Sequence, residues 1–202
     1  MQKFHRFRIH RSSGFTLVEM IGVLAVIAIL GSVAAPKIFA AIEDAKVSAF
    51  VQQVNTLTSA VAKFQTDTGA WPRHIPSHAQ DRYHQLMVNS LDNSNPIPGW
   101  QGPYIEKELT NHISKSGYQD LFLASDNDPN WGCDLDGNGS VDGQFVVYRA
   151  DGISNAVAEK ISNLIDGDGG VTTGDGDWRK AGKVRRYKGT HTSILQVCLA
   201  SI

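Results

Sequence analysis

The sequence contains little that would support catalysis. Its nearest approach to a nucleophile elbow is GSVDG at residues 139–143, which lacks the central serine. Histidine and acidic residues form no recognisable catalytic arrangement elsewhere, and no internal repeat of about 20 to 50 residues is visible. We therefore predict that the protein is not an enzyme, and an exported hydrolase has no supporting residues.

The sequence also lacks an excess of positive charge outside its first residues. The formal net charge is -1, yet four basic residues and no acidic ones precede Gly14. They are Lys3, Arg6, Arg8 and Arg11. The remainder is therefore mildly acidic and has no basic stripe for phosphate groups, so we predict no binding to nucleic acid.

A long apolar run, Phe15 to Ala35, follows the basic residues, with few polar interruptions. As a helix it would be about 32 Å long, which is enough to cross the core of a bilayer. The preceding basic residues predict a cytoplasmic N-terminus and export of the rest. The alternative is a secretory signal peptide cut near Ala34 and Ala35, although the helical pattern continues beyond them.

One carboxylate, Glu19, lies inside this apolar run. At the centre of a membrane helix it would cost about 2.5 to 3.5 kcal/mol, so a partner or a function is expected. A cut between Gly14 and Phe15 would create an α-amino group that could pair with Glu19 of an adjacent subunit. The alternative is a charge that reaches the interface from an ordinary anchor helix.

The stretch GFTLVEMIGVLAVIAILGSVAAPKI resembles the class III signal of type IV pilins and type II secretion pseudopilins. The resemblance implies a membrane prepilin peptidase that cuts after Gly14 and methylates Phe15, and an assembly role for Glu19. It also implies that the helix can melt before Pro36 when a filament forms, whereas a simple proline kink is the alternative. The resemblance is strong over residues 14–72 and weak beyond.

The remaining pattern predicts an α+β fold: a long helix over 15–66, transmembrane at 15–35 and then amphipathic, packed on a small antiparallel sheet. Gly69 is the expected helix C-cap. The predicted strands are 120–124, 144–150 and 193–200, with helical segments at 81–91 and 156–167. The predicted division is a removable leader (1–14), the spine helix (15–66) and a globular head (67–202).

An acidic loop in the head has the composition of a calcium site, and an exported head favours calcium. Gly139 lies where an EF-hand loop turns, but Phe145 stands in the place of the bidentate glutamate. The candidate oxygen ligands are Asp134, Asp136, Asn138 and Asp142, with Asp126 and Asp128 nearby. The alternative is a loop whose side chains bond their own backbone. A second acidic cluster, 166–177, is either another ion loop or a linker.

Cys133 and Cys198 are the only cysteines. An exported head would be oxidised, so we expect a disulfide worth about 4 kcal/mol through its effect on the unfolded chain. Two buried thiols are the alternative. His74 and His78 have helical zinc spacing, but Pro76 lies between them and no third ligand is evident, so surface histidines are expected.

These features together predict a pilin-like filament subunit, held first in the inner membrane and then in a periplasmic or cell-surface filament. Its expected partners are further copies of itself, related minor pilins, the prepilin peptidase and the inner-membrane assembly platform. DTGAWP and WQGPY instead resemble major pseudopilins of type II secretion. A membrane-anchored, calcium-stabilised binding module that never polymerises is a further alternative.

Overall fold

The computed structural model describes residues 14–72, 84–87, 89, 95–106, 113, 119–124, 132–135, 140–167, 182–186 and 194–202. Three helices and four strands lie within them. In chain order they are α1 (Leu17–Thr68), α2 (His84–Met87), β1 (Gln119–Ala124), β2 (Phe145–Asp151), α3 (Asn155–Ile165), β3 (Val184–Arg186) and β4 (Ile194–Ser201).

Helix α1 follows the predicted spine closely and contains Pro36 within its length. It ends at Thr68, directly before Gly69. Gly69 adopts a positive φ of 66°, and its N–H donates to the carbonyl oxygen of Gln65 at 2.8 Å. This conformation is easy for glycine and satisfies one of the last helical carbonyls, which confirms the predicted C-cap.

The chain divides into two compact units, of which the first ends at Ile42 and the second begins at Glu43. In the N-terminal unit every described side chain is exposed. In the C-terminal unit the first buried side chain is Val47. The predicted division into a removable leader (1–14), a spine helix (15–66) and a globular head (67–202) is a different kind of division. It stays a prediction.

The four strands form one antiparallel sheet in the order β1-β2-β4-β3. The two central strands, β2 and β4, pair over their whole length, from Phe145 opposite Ser201 to Asp151 opposite Ile194. Their register shifts between Val146 and Val147. Such an irregularity is typical of a β-bulge, which bends a strand and increases its twist.

One face of the sheet packs against α1 and α3. Side chains along α1 recur at spacings of three and four, which places them on the same side of the helix. Those buried are Val47, Phe50, Val54, Leu57, Ala60, Val61 and Phe64. Alternate residues of β2 meet them, and the ring of Tyr148 lies 5.6 Å from that of Phe50 between centroids.

The opposite face of the sheet carries a smaller apolar cluster. It comprises Cys133, Phe145, Val147 and Cys198, with Val141 packed against them. Since successive side chains of a strand point to opposite faces, Phe145 and Val147 belong to this cluster while Val146 and Tyr148 belong to the main core. Asp134, where the acidic loop begins, directly follows Cys133 of this cluster.

The predicted fold class is confirmed: a long apolar N-terminal helix joins a small antiparallel sheet with a disulfide. The calcium-type character of the loops stays a prediction. Strand β3 was not predicted. Within the predicted helical segment 81–91 the structure describes a helix only at His84–Met87, and most of the other residues of that segment lie outside the described part.

Candidate assembly helix and processing site

The N-terminal unit presents a long apolar surface with few polar side chains. Its large hydrophobic side chains are all at least 45% exposed, and Phe15 and Leu17 reach 78% and 75%. Among the described residues, α1 is the one helix long and apolar enough to cross a membrane. A surface of this size on a protein implies lipid or another protein as its neighbour.

Helix α1 begins with three reciprocal hydrogen bonds between Thr16 and Glu19. The backbone N–H and the hydroxyl of Thr16 both donate to Oε2 of Glu19 at 2.8 Å, and the backbone N–H of Glu19 donates to the hydroxyl of Thr16 at 3.3 Å. This is the geometry of a capping box, in which the N-cap side chain and the third helical residue satisfy each other's backbone donors.

The capping box gives the Glu19 carboxylate a partner within its own chain. Both donors from Thr16 reach Oε2, and among the described residues no donor bonds to Oε1. The sequence prediction placed the partner of Glu19 on an adjacent subunit and did not include Thr16. The signal was present, because threonine followed three residues later by glutamate before an apolar run is the capping-box pattern.

The two residues of the predicted cleavage site lie before the helix begins. Gly14 and Phe15 are both exposed and non-helical, and the space around Gly14 is open. The peptide bond that joins them is therefore outside the hydrogen-bonded ladder of α1. The leader itself, residues 1–13, lies outside the described residues.

Residues 9–35 match the family model of the prokaryotic N-terminal methylation motif. The chain carries the class III prepilin signal. No curated protein and no solved structure matches the chain. The prepilin signal is that of structural, pilin-type subunits rather than of enzymes. Together with the exposed apolar helix, it supports a pilin-like or pseudopilin-like protein that is anchored in a membrane before assembly.

Pro36 lies one residue beyond the matched prepilin signal. It has no N–H to donate to the preceding turn, yet α1 passes through it. A turn earlier, the hydroxyl of Ser32 donates to the carbonyl oxygen of Ile29 at 2.7 Å, so it bonds within its own helix. The continuous helix is the form expected before assembly, and melting in a filament stays a prediction.

The acidic loop is described only in part. Asp134 is buried, and its carbonyl oxygen accepts a hydrogen bond from Gly182 at 2.7 Å. The carboxylate of Asp142 accepts from the backbone N–H of Leu135, which is how a loop of the alternative, self-bonded kind is built. Asp126, Asp128, Asp136 and Asn138 lie outside the described residues.

No group of three or more His, Cys, Asp or Glu side chains within the described ranges could hold a metal ion. Calcium in this loop therefore stays a prediction.

Of the second acidic cluster, 166–177, the described residues are Asp166 and Gly167. Asp166 accepts backbone hydrogen bonds from Lys183 at 2.8 Å and Val184 at 3.1 Å, so it connects the end of α3 to β3. His74 and His78 also lie outside the described part.

Cys133 and Cys198 form the expected disulfide, with their Cα atoms 6.3 Å apart and both residues buried. The neighbouring Gly132 is held as well. Its carbonyl oxygen accepts from Nη1 of Arg185 at 3.1 Å and from the side-chain amide of Gln196 at 3.2 Å. The base of the acidic loop is thus fixed to β4 by a covalent bond and to β3 and β4 by polar side chains.

Proposed function

We propose that the chain is the structural subunit of a type IV filament, a pilin that polymerises through the apolar surface of α1. The observation that carries this proposal is the combination of a prepilin signal with a helix whose apolar side chains before Val47 are all exposed in the single chain. Such a surface is stable in lipid, and in a polymer it is stable against the same surface of other subunits.

In the proposed pathway the prepilin peptidase cuts between Gly14 and Phe15 and methylates the new terminus of Phe15. The subunit waits in the inner membrane with its N-terminus in the cytoplasm. The inner-membrane assembly platform then transfers it into a periplasmic or cell-surface filament, alongside related minor pilins.

Glu19 sets the register of the proposed polymer. Its Oε2 stays with Thr16, and its Oε1 is directed to the methylated amine of a neighbouring subunit's first residue. A charge left unpaired in an apolar bundle is strongly unfavourable, so a subunit added in the wrong register would be rejected.

Mass spectrometry of the protein from its native membrane tests the processing step. We expect a mature chain that begins with a methylated Phe15.

Glu19→Ala tests the assembly step. This variant should be cut normally and should lose filament assembly. Thr56→Ala, on an exposed part of α1, serves as the control and should assemble. A chain that keeps its leader would overturn the proposal, and an anchored binding module predicts that Glu19→Ala keeps full function.

A major pseudopilin of type II secretion is the second candidate, because DTGAWP and WQGPY resemble that class. Electron microscopy of the cell surface separates the two. Long extracellular fibres that contain this subunit support the pilin. Loss of secreted enzymes in a deletion strain that keeps its fibres supports the pseudopilin.

A further inference from the structure

Helix α1 joins the C-terminal unit one turn before it becomes buried. The unit begins at Glu43, yet Val47 is the first buried residue, and the side chains from Glu43 to Lys46 are exposed. Apolar packing therefore does not account for the placement of this turn. Beyond the continuity of the helix itself, ion pairs connect this turn to the rest of the unit.

Lys160 supplies these ion pairs from α3. Its Nζ donates to Oδ1 of Asp44 at 2.7 Å and to Oε1 of Glu43 at 2.8 Å, so one ammonium group connects two adjacent carboxylates. These carboxylates raise the pKa of Lys160 above its ordinary value, Asp44 more than Glu43. The ammonium group is thus fully charged at neutral pH.

The position of Lys160 is fixed by the rest of α3. The hydroxyl of Ser154 caps the first turn, where it accepts from the N–H of Val157, and Asp166 ties the last turn to β3. Val157 and Ile161, the neighbours of Lys160 along the helix, are buried in the main core. Lys160 therefore extends from a rigid element toward a turn of α1 that is otherwise exposed.

We propose that Lys160 is a latch that fixes the point at which α1 becomes free of α3, by holding the turn at Glu43 and Asp44. With the latch intact, the part of α1 that is anchored begins at Glu43. Without it, the anchored part begins at Val47, and one more turn of helix is free to bend or fray. This inference is independent of the proposed filament function.

Hydrogen exchange of the full chain in detergent micelles, read by mass spectrometry, tests the latch. Exposed ion pairs are individually weak, so we expect Lys160→Gln to accelerate exchange of the amides at 43–48 by about two- to fivefold. The amides at 55–66 should be unchanged. Lys160→Arg, which keeps the charge, should remain near the wild type.

Two further variants make the result decisive. Glu43→Gln combined with Asp44→Asn removes the same contact from α1 and should reproduce the effect of Lys160→Gln. Lys63→Gln breaks the ion pair between the exposed Lys63 and the partly buried Asp67 at the other end of α1, and it should leave 43–48 unchanged. In about 1 M salt, where screening acts within about 3 Å, the difference between wild type and Lys160→Gln should shrink.

The latch is overturned if Lys160→Gln leaves exchange at 43–48 unchanged. An acceleration spread equally over α1, α3 and the sheet also overturns it, because that pattern indicates general destabilisation.

Discussion

At the scale of single residues, the start of α1 depends on Thr16 and Glu19 acting together. Each satisfies a backbone donor of the other, and neither interaction requires a second subunit. The carboxylate thus has a local partner even while the helix is in the apolar environment of a membrane, where an unpartnered charge is expensive.

Removal of the Thr16 hydroxyl should loosen the first turn. We expect Thr16→Ala to destabilise the N-terminus of α1 by about 1 kcal/mol, whereas Thr16→Ser, which keeps the hydroxyl, should change it little. Hydrogen exchange of the amides at 16–20 in detergent measures the effect. Thr56→Ala is the matched control, because its hydroxyl bonds to the Gln52 carbonyl in the middle of the helix. Equal exchange in all three variants would contradict the role of the cap.

Gly99 lies against the last turn of α1, at a position where a side chain would not fit. It has a φ of 76° and follows Pro98, and the N–H of Trp100 donates to the carbonyl of Ile97, as in a type II turn. A Cβ at Gly99 would also overlap the carbonyl oxygen of Asp67. Both the backbone conformation and the close contact exclude larger residues.

Gly99→Ala should therefore lower the free energy of unfolding by about 3 kcal/mol. Gly69→Ala is the comparison, since Gly69 has a similar φ of 66° but open space around it. We expect this second variant to lose only about 1 kcal/mol, the cost of the left-handed conformation. Chemical unfolding followed by tryptophan fluorescence would show the difference, and equal losses would mean that the contact with Asp67 is unimportant.

At the scale of elements, the apolar patterns predicted the structure where burial is regular. The strands expected at 120–124, 144–150 and 193–200 were found within one residue of those bounds, and the spine helix within two. Strand β3 escaped prediction because it is three residues long and contains Arg185 and Arg186. Arg185 is buried, and its guanidinium donates to the Gly132 carbonyl, which is distant in sequence, so no local pattern reveals such an arrangement.

At the candidate site too, local sequence patterns could be interpreted, whereas features that depend on the folded loop could not. The prepilin signal is a local sequence pattern, and Gly14, Phe15 and Glu19 could be named from it directly. A calcium site could not be assigned in this way, because the geometry of a loop depends on which backbone groups its carboxylates already satisfy. Asp142 and Asp166 show this, since both accept backbone hydrogen bonds.

The disulfide should contribute strongly to stability, because its cysteines are 65 positions apart in the sequence. We expect Cys133→Ala with Cys198→Ala to lower the free energy of unfolding by about 4 kcal/mol. Val141→Ala, which removes packing beside the disulfide but keeps the bond, should lose about 1 kcal/mol. Denaturant titration under oxidising conditions compares them. Similar midpoints for wild type and the double variant would show that the bond adds little.

At the scale of the whole chain, one helix has an exposed apolar part followed by a part that packs into the core. Up to Lys46 the described side chains are exposed and mostly apolar, and from Val47 onward α1 contributes one face to a core with the sheet. An apolar surface of this size favours lipid or another protein as its neighbour, and the core of the C-terminal unit does not include it. Removal of the exposed part should therefore change solubility without changing the fold of the C-terminal unit.

A chain that begins at Glu43 should thus be a soluble, folded monomer. A chain that begins at Val51 also lacks Val47 and Phe50, and with them the ring contact to Tyr148. It should lose at least about 3 to 5 kcal/mol of unfolding free energy, because a large buried side chain and its contacts are missing. Size-exclusion chromatography with light scattering and thermal unfolding would compare the two. If the chain from Glu43 aggregates or fails to fold, residues 15–42 have a role in the core that their exposure does not indicate.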